Sequence, residues 1–142
     1  MTARPATPIA LADTNVFVAL LSGPSHALHE SALELFRRVA EGGVVLLVTP
    51  VIVAELVYAC RTILRWDRGA VASHLTSLLN ADGLQVREGD ALVRALELFG
   101  MRPALDFPDA YLAASALTDG PPMIASFDRD FDAVTGLQRI PR

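Results

Sequence analysis

A chain of 142 residues, 52% of them hydrophobic, has room for one compact domain with a sizeable core and none for a second. Charged residues make up only 20% and the net charge is −4, which excludes a disordered chain and the broad basic field of a nonspecific nucleic-acid binder, though not nucleic acid as a substrate. The single cysteine, Cys60, excludes an internal disulfide, and no apolar run reaches the ~20 residues of a membrane span or forms a signal peptide, so a cytoplasmic protein without membrane contact is expected.

In chain order, residues 1–8 carry two prolines and read as a frayed tail ahead of a single domain spanning 1–142. Residues 9–12 form a short apolar strand, 15–21 turn into a helix, and Ser22-Gly23-Pro24-Ser25 breaks it. Over 27–41, Leu28, Ala32, Leu35, Phe36 and Val39 recur at helical spacing until Gly42-Gly43 stops them. The aliphatic run 44–48 is the pattern of a strand covered on both faces. Thr49-Pro50 then gives a cap and a proline at the first helical position, opening a helix that runs to about Arg65. Asp67 caps another helix running to about Asn80, followed by a short strand at 84–86 and a helix over 90–99. A helix over 106–117, a turn at Gly120-Pro121-Pro122, a strand at 123–125, a helical turn at 129–133 and an edge strand at 137–140 complete the chain. Strands alternating with helices predict an α/β fold with a parallel sheet, whose ligand site lies beyond the carboxyl ends of the strands.

Asp13, Glu55, Asp109 and Asp128 each stand at the edge of, or inside, an apolar segment. A carboxylate buried there without a partner costs several kcal/mol, so a compensating hard cation is expected. Bland readings compete at each position. Asp13 can cap the helix after it, and Asp106-x-x-Asp109 imitates a capping box. Asp128 opens Asp128-Arg129-Asp130-Phe131-Asp132, a run that also suits a solvated turn. Glu55 is harder to explain away. Its helical neighbours Val51, Ile52, Tyr58 and Ala59 offer no basic partner.

Four segments in order carry a family resemblance: Leu11-Ala12-Asp13-Thr14-Asn15; Thr49-Pro50-Val51-Ile52-Val53-Ala54-Glu55-Leu56; Asp106-Phe107-Pro108-Asp109-Ala110-Tyr111-Leu112-Ala113-Ala114-Ser115-Ala116; and Ser126-Phe127-Asp128-Arg129-Asp130-Phe131. Across residues 9–139 the chain resembles a PIN-domain ribonuclease, specifically the VapC-type toxin of a toxin–antitoxin pair. The resemblance implies a three-layer α/β/α sandwich with a central, mostly parallel sheet, Mg²⁺ or Mn²⁺ as cofactor, endonucleolytic cleavage of RNA, a homodimer, and a cognate VapB-type antitoxin. It assigns Asp13, Glu55, Asp109 and Asp128 as catalytic and metal-binding residues, Asp106 as an accessory acid, and Asn15 and Ser126 as polar supports. The residue chemistry agrees: oxygen donors alone suit Mg²⁺, and the histidines His26, His29 and His74 show no ligand spacing. The expected reaction is in-line attack on a phosphodiester by water activated at the bound ion. Crowded carboxylates are also expected to raise at least one pKa.

Arg61, Arg65 and Arg68 fall at helical spacing if the helix continues past Trp66, and would then hold RNA phosphates. Phe17, Leu21, Leu35 and Phe36 read as core rather than as an antitoxin groove. Phosphohydrolase and receiver-domain readings want a lysine, and all twelve basic residues are arginines. A different class stays open: a PIN fold serving as a non-toxin RNA-processing nuclease, or as an RNA- or protein-binding module with little catalysis.

Overall fold

The computed structural model describes residues 6–141. Its strands are β1 (Ile9–Leu11), β2 (Val45–Val48), β3 (Leu84–Val86), β4 (Met123–Ala125) and β5 (Gln138–Ile140). The helices are α1 (Thr14–Leu21), α2 (His29–Ala40), α3 (Pro50–Thr62), α4 (Arg68–Leu79), α5 (Gly89–Met101) and α6 (Phe107–Asp119), with a 3-10 turn at Arg129–Ala133. Together they make a three-layer α/β/α sandwich with a central, mostly parallel sheet. Of the tail expected at 1–8, residues 1–5 lie outside the described residues, while 6–8 are exposed and carry no regular structure.

Every described strand pairing is parallel. β1, β2 and β3 are bonded in that order, with Ile9 beside Val45 and Leu46 beside Leu84. β4 and β5 form a second ladder, with Met123 beside Gln138. Among the described residues no ladder joins β1 to β4, so the central layer consists of two hydrogen-bonded sets. β2, bonded on both edges, earned its aliphatic run: Leu46 and Val48 are buried. β1 is bonded on one edge only and leaves Ile9 and Leu11 exposed.

The core is built by helical spacing. On α5, Ala91, Leu92, Ala95, Leu96 and Phe99 are buried along one face, against α4 on one side and α6 on the other. α4 meets it with Val71, Leu75 and Leu79, spaced four apart; α6 meets it with Ala110, Ala113 and Ala114, whose small side chains let the helix axes approach. Phe17 on α1 is buried with its ring centroid 5.5 Å from that of half-buried Phe36 on α2, so this apolar group belongs to the core. Gly83, before β3, has φ +86°, and a Cβ there would come within 2.5 Å of Val39 Cγ1, so only glycine fits.

The helix ends differ from the sequence expectation for local reasons. α2 begins at His29 because residues 26–28 are used in a turn, in which the Leu28 N–H donates to His26 Nδ1 at 3.0 Å. α3 stops at Thr62. Its end is closed by the Leu64 N–H to Ala59 O (3.2 Å) and the Trp66 N–H to Cys60 O (2.9 Å), with Arg65 at φ 58°, a left-handed conformation usually given to glycine. Asp67 then caps α4 as expected, accepting from the Ala70 N–H at 2.7 Å. Thr49 stands at the start of α3 without a side-chain cap bond, which leaves Pro50 as the start signal.

Candidate functional site

Short strands deliver the acids to the surface. Asp13 follows β1, Asp128 follows β4, Glu55 lies in the second turn of α3 after β2, and Asp109 in the first turn of α6. The expectation that these carboxylates are buried is overturned. Asp13, Glu55, Asp106 and Asp128 are exposed and Asp109 is half-buried. The four exposed side chains reach water from the edge of the core, so the burial cost that called for a cation remains only at Asp109, and only in part.

Two sets of interactions link the acids. In the first, Asp13 ends β1's extended backbone and accepts from the Thr14 N–H at 2.8 Å, while the Thr14 hydroxyl donates to Glu55 Oε2 at 2.6 Å. Thr14 therefore ties the first two acids, while Asn15, expected as a polar support of Asp13, is exposed and makes no described side-chain hydrogen bond. Threonine between Asp13 and Asn15 was the available signal. In the second, Asp109 is surrounded by Asp128, Asp106 and Asp130. Burial raises the Asp109 carboxyl above its ordinary range, and repulsion from those three acids raises it further. The capping box imitated by Asp106 and Asp109 is not formed: Asp106 sits at the N-cap with extended backbone, but its side chain makes no cap bond. Asp128 accepts from the Asp130 N–H at 2.9 Å, and its own N–H donates to Ser126 Oγ at 3.0 Å, so Ser126 steadies the turn that aims Asp128.

The raised Asp109 carboxyl makes stability depend on pH. The folded protein holds the Asp109 proton more tightly than the unfolded chain, so the group's stabilising contribution is full below the unfolded carboxylate range near pH ~3.9. It is lost as pH rises through the raised folded value. Asp109→Asn should therefore melt at or above the wild-type temperature at neutral pH, with the gap closing near pH ~4. Thermal melts of both proteins across that range check the sign.

Beside these acids lies a cavity of about 450 Å³ between α3, α5 and the start of α6, lined by Tyr58, Arg61, Arg68, Phe99, Asp106 and Phe107 among others. The three arginines expected to share a helical face do not. Arg65 falls in the α3–α4 connection, and Arg68 begins a new helix. Arg68 turns inward: Nε donates to Phe99 O (2.8 Å) and Nη2 to Arg102 O (3.0 Å) and Leu105 O, and its guanidinium lies 3.8 Å from the centre of the Phe99 ring. Arg61 stays exposed, with Nη1 donating to Trp66 O at 2.9 Å. Two aromatics whose exposure nothing in the sequence signals stand near the acids. Tyr58 is 71% exposed and follows Glu55 by three residues, hence on the same helical face; Phe127, beside Asp128, is 89% exposed.

The donor set, carboxylate oxygens without histidine or cysteine, is that of a hard divalent cation. The arrangement is not. Among the described residues no group of three or more His, Cys, Asp or Glu side chains is placed to hold a metal ion. Nor is any described helix long and apolar enough to cross a membrane. Comparison with curated proteins and with solved structures returned no match. A family model described as the PIN domain matches residues 10–137, nearly the whole chain, and the protein belongs to the PIN domain family.

Proposed function

We infer that this chain is a PIN-fold protein that acts on RNA and that, in the conformation described, binds RNA rather than cutting it. One observation supports this reading: among the described residues no three His, Cys, Asp or Glu side chains are placed to hold a metal ion. Nuclease chemistry of the kind the fold supports in general would require the carboxylates to be gathered around one. The chain's own residues otherwise position a strand: Ser126 holds the Asp128 turn, Arg68 holds the segment leading to Asp106, and Arg61 offers exposed positive charge.

A second reading has one observation in its favour. The mutual repulsion around Asp109 is the kind that a hard divalent cation relieves. On that reading the chain is a Mg²⁺- or Mn²⁺-dependent endoribonuclease, the toxin of a VapBC-type pair. It would be cytoplasmic and homodimeric and held in check by a VapB-type antitoxin, with Asp13, Glu55, Asp109 and Asp128 as its acids, Asp106 as an accessory and Asn15 and Ser126 as supports.

Incubating the purified protein with total RNA, in Mn²⁺ or in EDTA, separates the two. RNA retained on a filter with an unchanged pattern of ends supports the binding reading. New ends formed in Mn²⁺ and lost in both Asp13→Asn and Asp109→Asn establish the nuclease and overturn it. A small reading frame just upstream of the gene would then favour the toxin over a processing enzyme.

A further inference from the structure

The cavity beside the acids has the features of a nucleotide subsite. Its volume, about 450 Å³, lies within the roughly 300–1,000 Å³ of small-ligand pockets. Ala54, Val57, Phe99, Phe107 and Pro108 make its apolar wall. Tyr58 stands at its edge, 71% exposed, with no hydrogen bond from its hydroxyl among the described residues. A large aromatic held in water on a rigid helix is the platform on which an unpaired base stacks. Ala54, Tyr58 and Arg61 follow one another at intervals of four and three, so one face of α3 presents the wall, the platform and a guanidinium together.

Charge supports the same occupant. Arg61 and Arg68 are close enough to repel, and with a single carboxylate, Asp106, beside them they leave the cavity positive in a chain of net charge −4. The two arginines differ in availability. Nε and Nη2 of Arg68 are spent on the carbonyls of Phe99, Arg102 and Leu105, whereas Arg61 uses only Nη1, leaving Nε and Nη2 without a described partner.

We propose that this cavity holds one nucleotide of a single-stranded RNA, its base stacked on Tyr58 and its phosphate on Arg61, so that the strand leaves the cavity past Asp106 toward Asp109. The proposal rests on the RNA reading above and adds the subsite and the residues that grip one nucleotide there. Duplex RNA keeps its bases stacked on one another and does not offer one to Tyr58.

The test measures binding of a fluorescein-labelled single-stranded RNA to the full chain by anisotropy, in EDTA so that no cleavage intervenes, over a range of salt. Tyr58→Ala should weaken binding about tenfold, and Tyr58→Phe, which keeps the ring, should restore it. Arg61→Gln should weaken binding and lower the salt slope by about 0.7. Both side chains are exposed, and circular dichroism of each variant confirms the fold. Wild-type affinity and salt slope in Tyr58→Ala and Arg61→Gln would overturn the subsite while leaving the RNA reading intact; failure of the wild type itself to bind would overturn both. If Tyr58→Ala instead converts a dimer to a monomer in sedimentation with RNA affinity unchanged, the face belongs to a second copy and the proposal fails.

Discussion

Arg68→Met should lower the unfolding free energy by roughly 3–5 kcal/mol, read from urea denaturation. One guanidinium here satisfies the carbonyls of Phe99, Arg102 and Leu105, the segment that links the end of α5 to the start of α6. Burial lowers its pKa, as does the neighbouring Arg61, while Asp106 opposes both. Removing the side chain leaves those carbonyls without their donor and deletes the stacking on Phe99. Lysine cannot reproduce the fork, so Arg68→Lys should recover only part of the loss. Because the braced segment leads into Asp106, the substitution should also disorder the start of α6 and weaken RNA binding, unlike Arg61→Gln, which leaves stability unchanged within about 0.5 kcal/mol. Wild-type stability in Arg68→Met would remove the bracing role and return Arg68 to the ranks of phosphate-binding candidates.

Phe17→Ala should cost roughly 3–5 kcal/mol, the range for deleting a fully buried aromatic. Phe17 is 1% exposed, and its ring packs against Phe36 where α1 meets α2. Phe36 is only half-buried, so Phe36→Ala should cost less. The site should register the change as well, because α1 begins at Thr14, which holds Glu55. Equal losses for the two substitutions, measured by urea denaturation, would mean that the α1–α2 packing is not centred on Phe17.

Those residues also show which parts of the molecule its sequence discloses. Phe17 and Phe36 lie on helices whose apolar spacing is local, so their place in the core could be read directly. The same holds for Asp67, whose capping bond spans three residues, and for β2, whose unbroken aliphatic run needs cover. Arg68 could not be read in this way. Its partners lie 31 to 37 residues away, and a basic residue at helical spacing looks the same whether it faces water or three carbonyls. Arg65 misled because a left-handed residue that is not glycine leaves no mark, so the helix was expected to run three residues too far. The division of the central layer was equally hidden: β1 and β4 have three residues each, too few for a pattern that selects a partner. For Asp13 and Asp128, which follow strands, and Asp109, near a helix start, position was legible; the exposure of the acids was not. An acid closing an apolar run has the same neighbours in sequence whether it points into the core or out of it.

RNA should bind at the end of the sandwich that carries the acids and the Arg61–Tyr58 cavity. The most direct measurement is an anisotropy titration of the wild-type protein against a single-stranded RNA and a duplex of the same sequence, in EDTA at low salt. Saturable binding of the single strand, weaker for the duplex and falling as salt rises, is the predicted result. No saturable binding of the single strand, or tighter binding of the duplex, would contradict it.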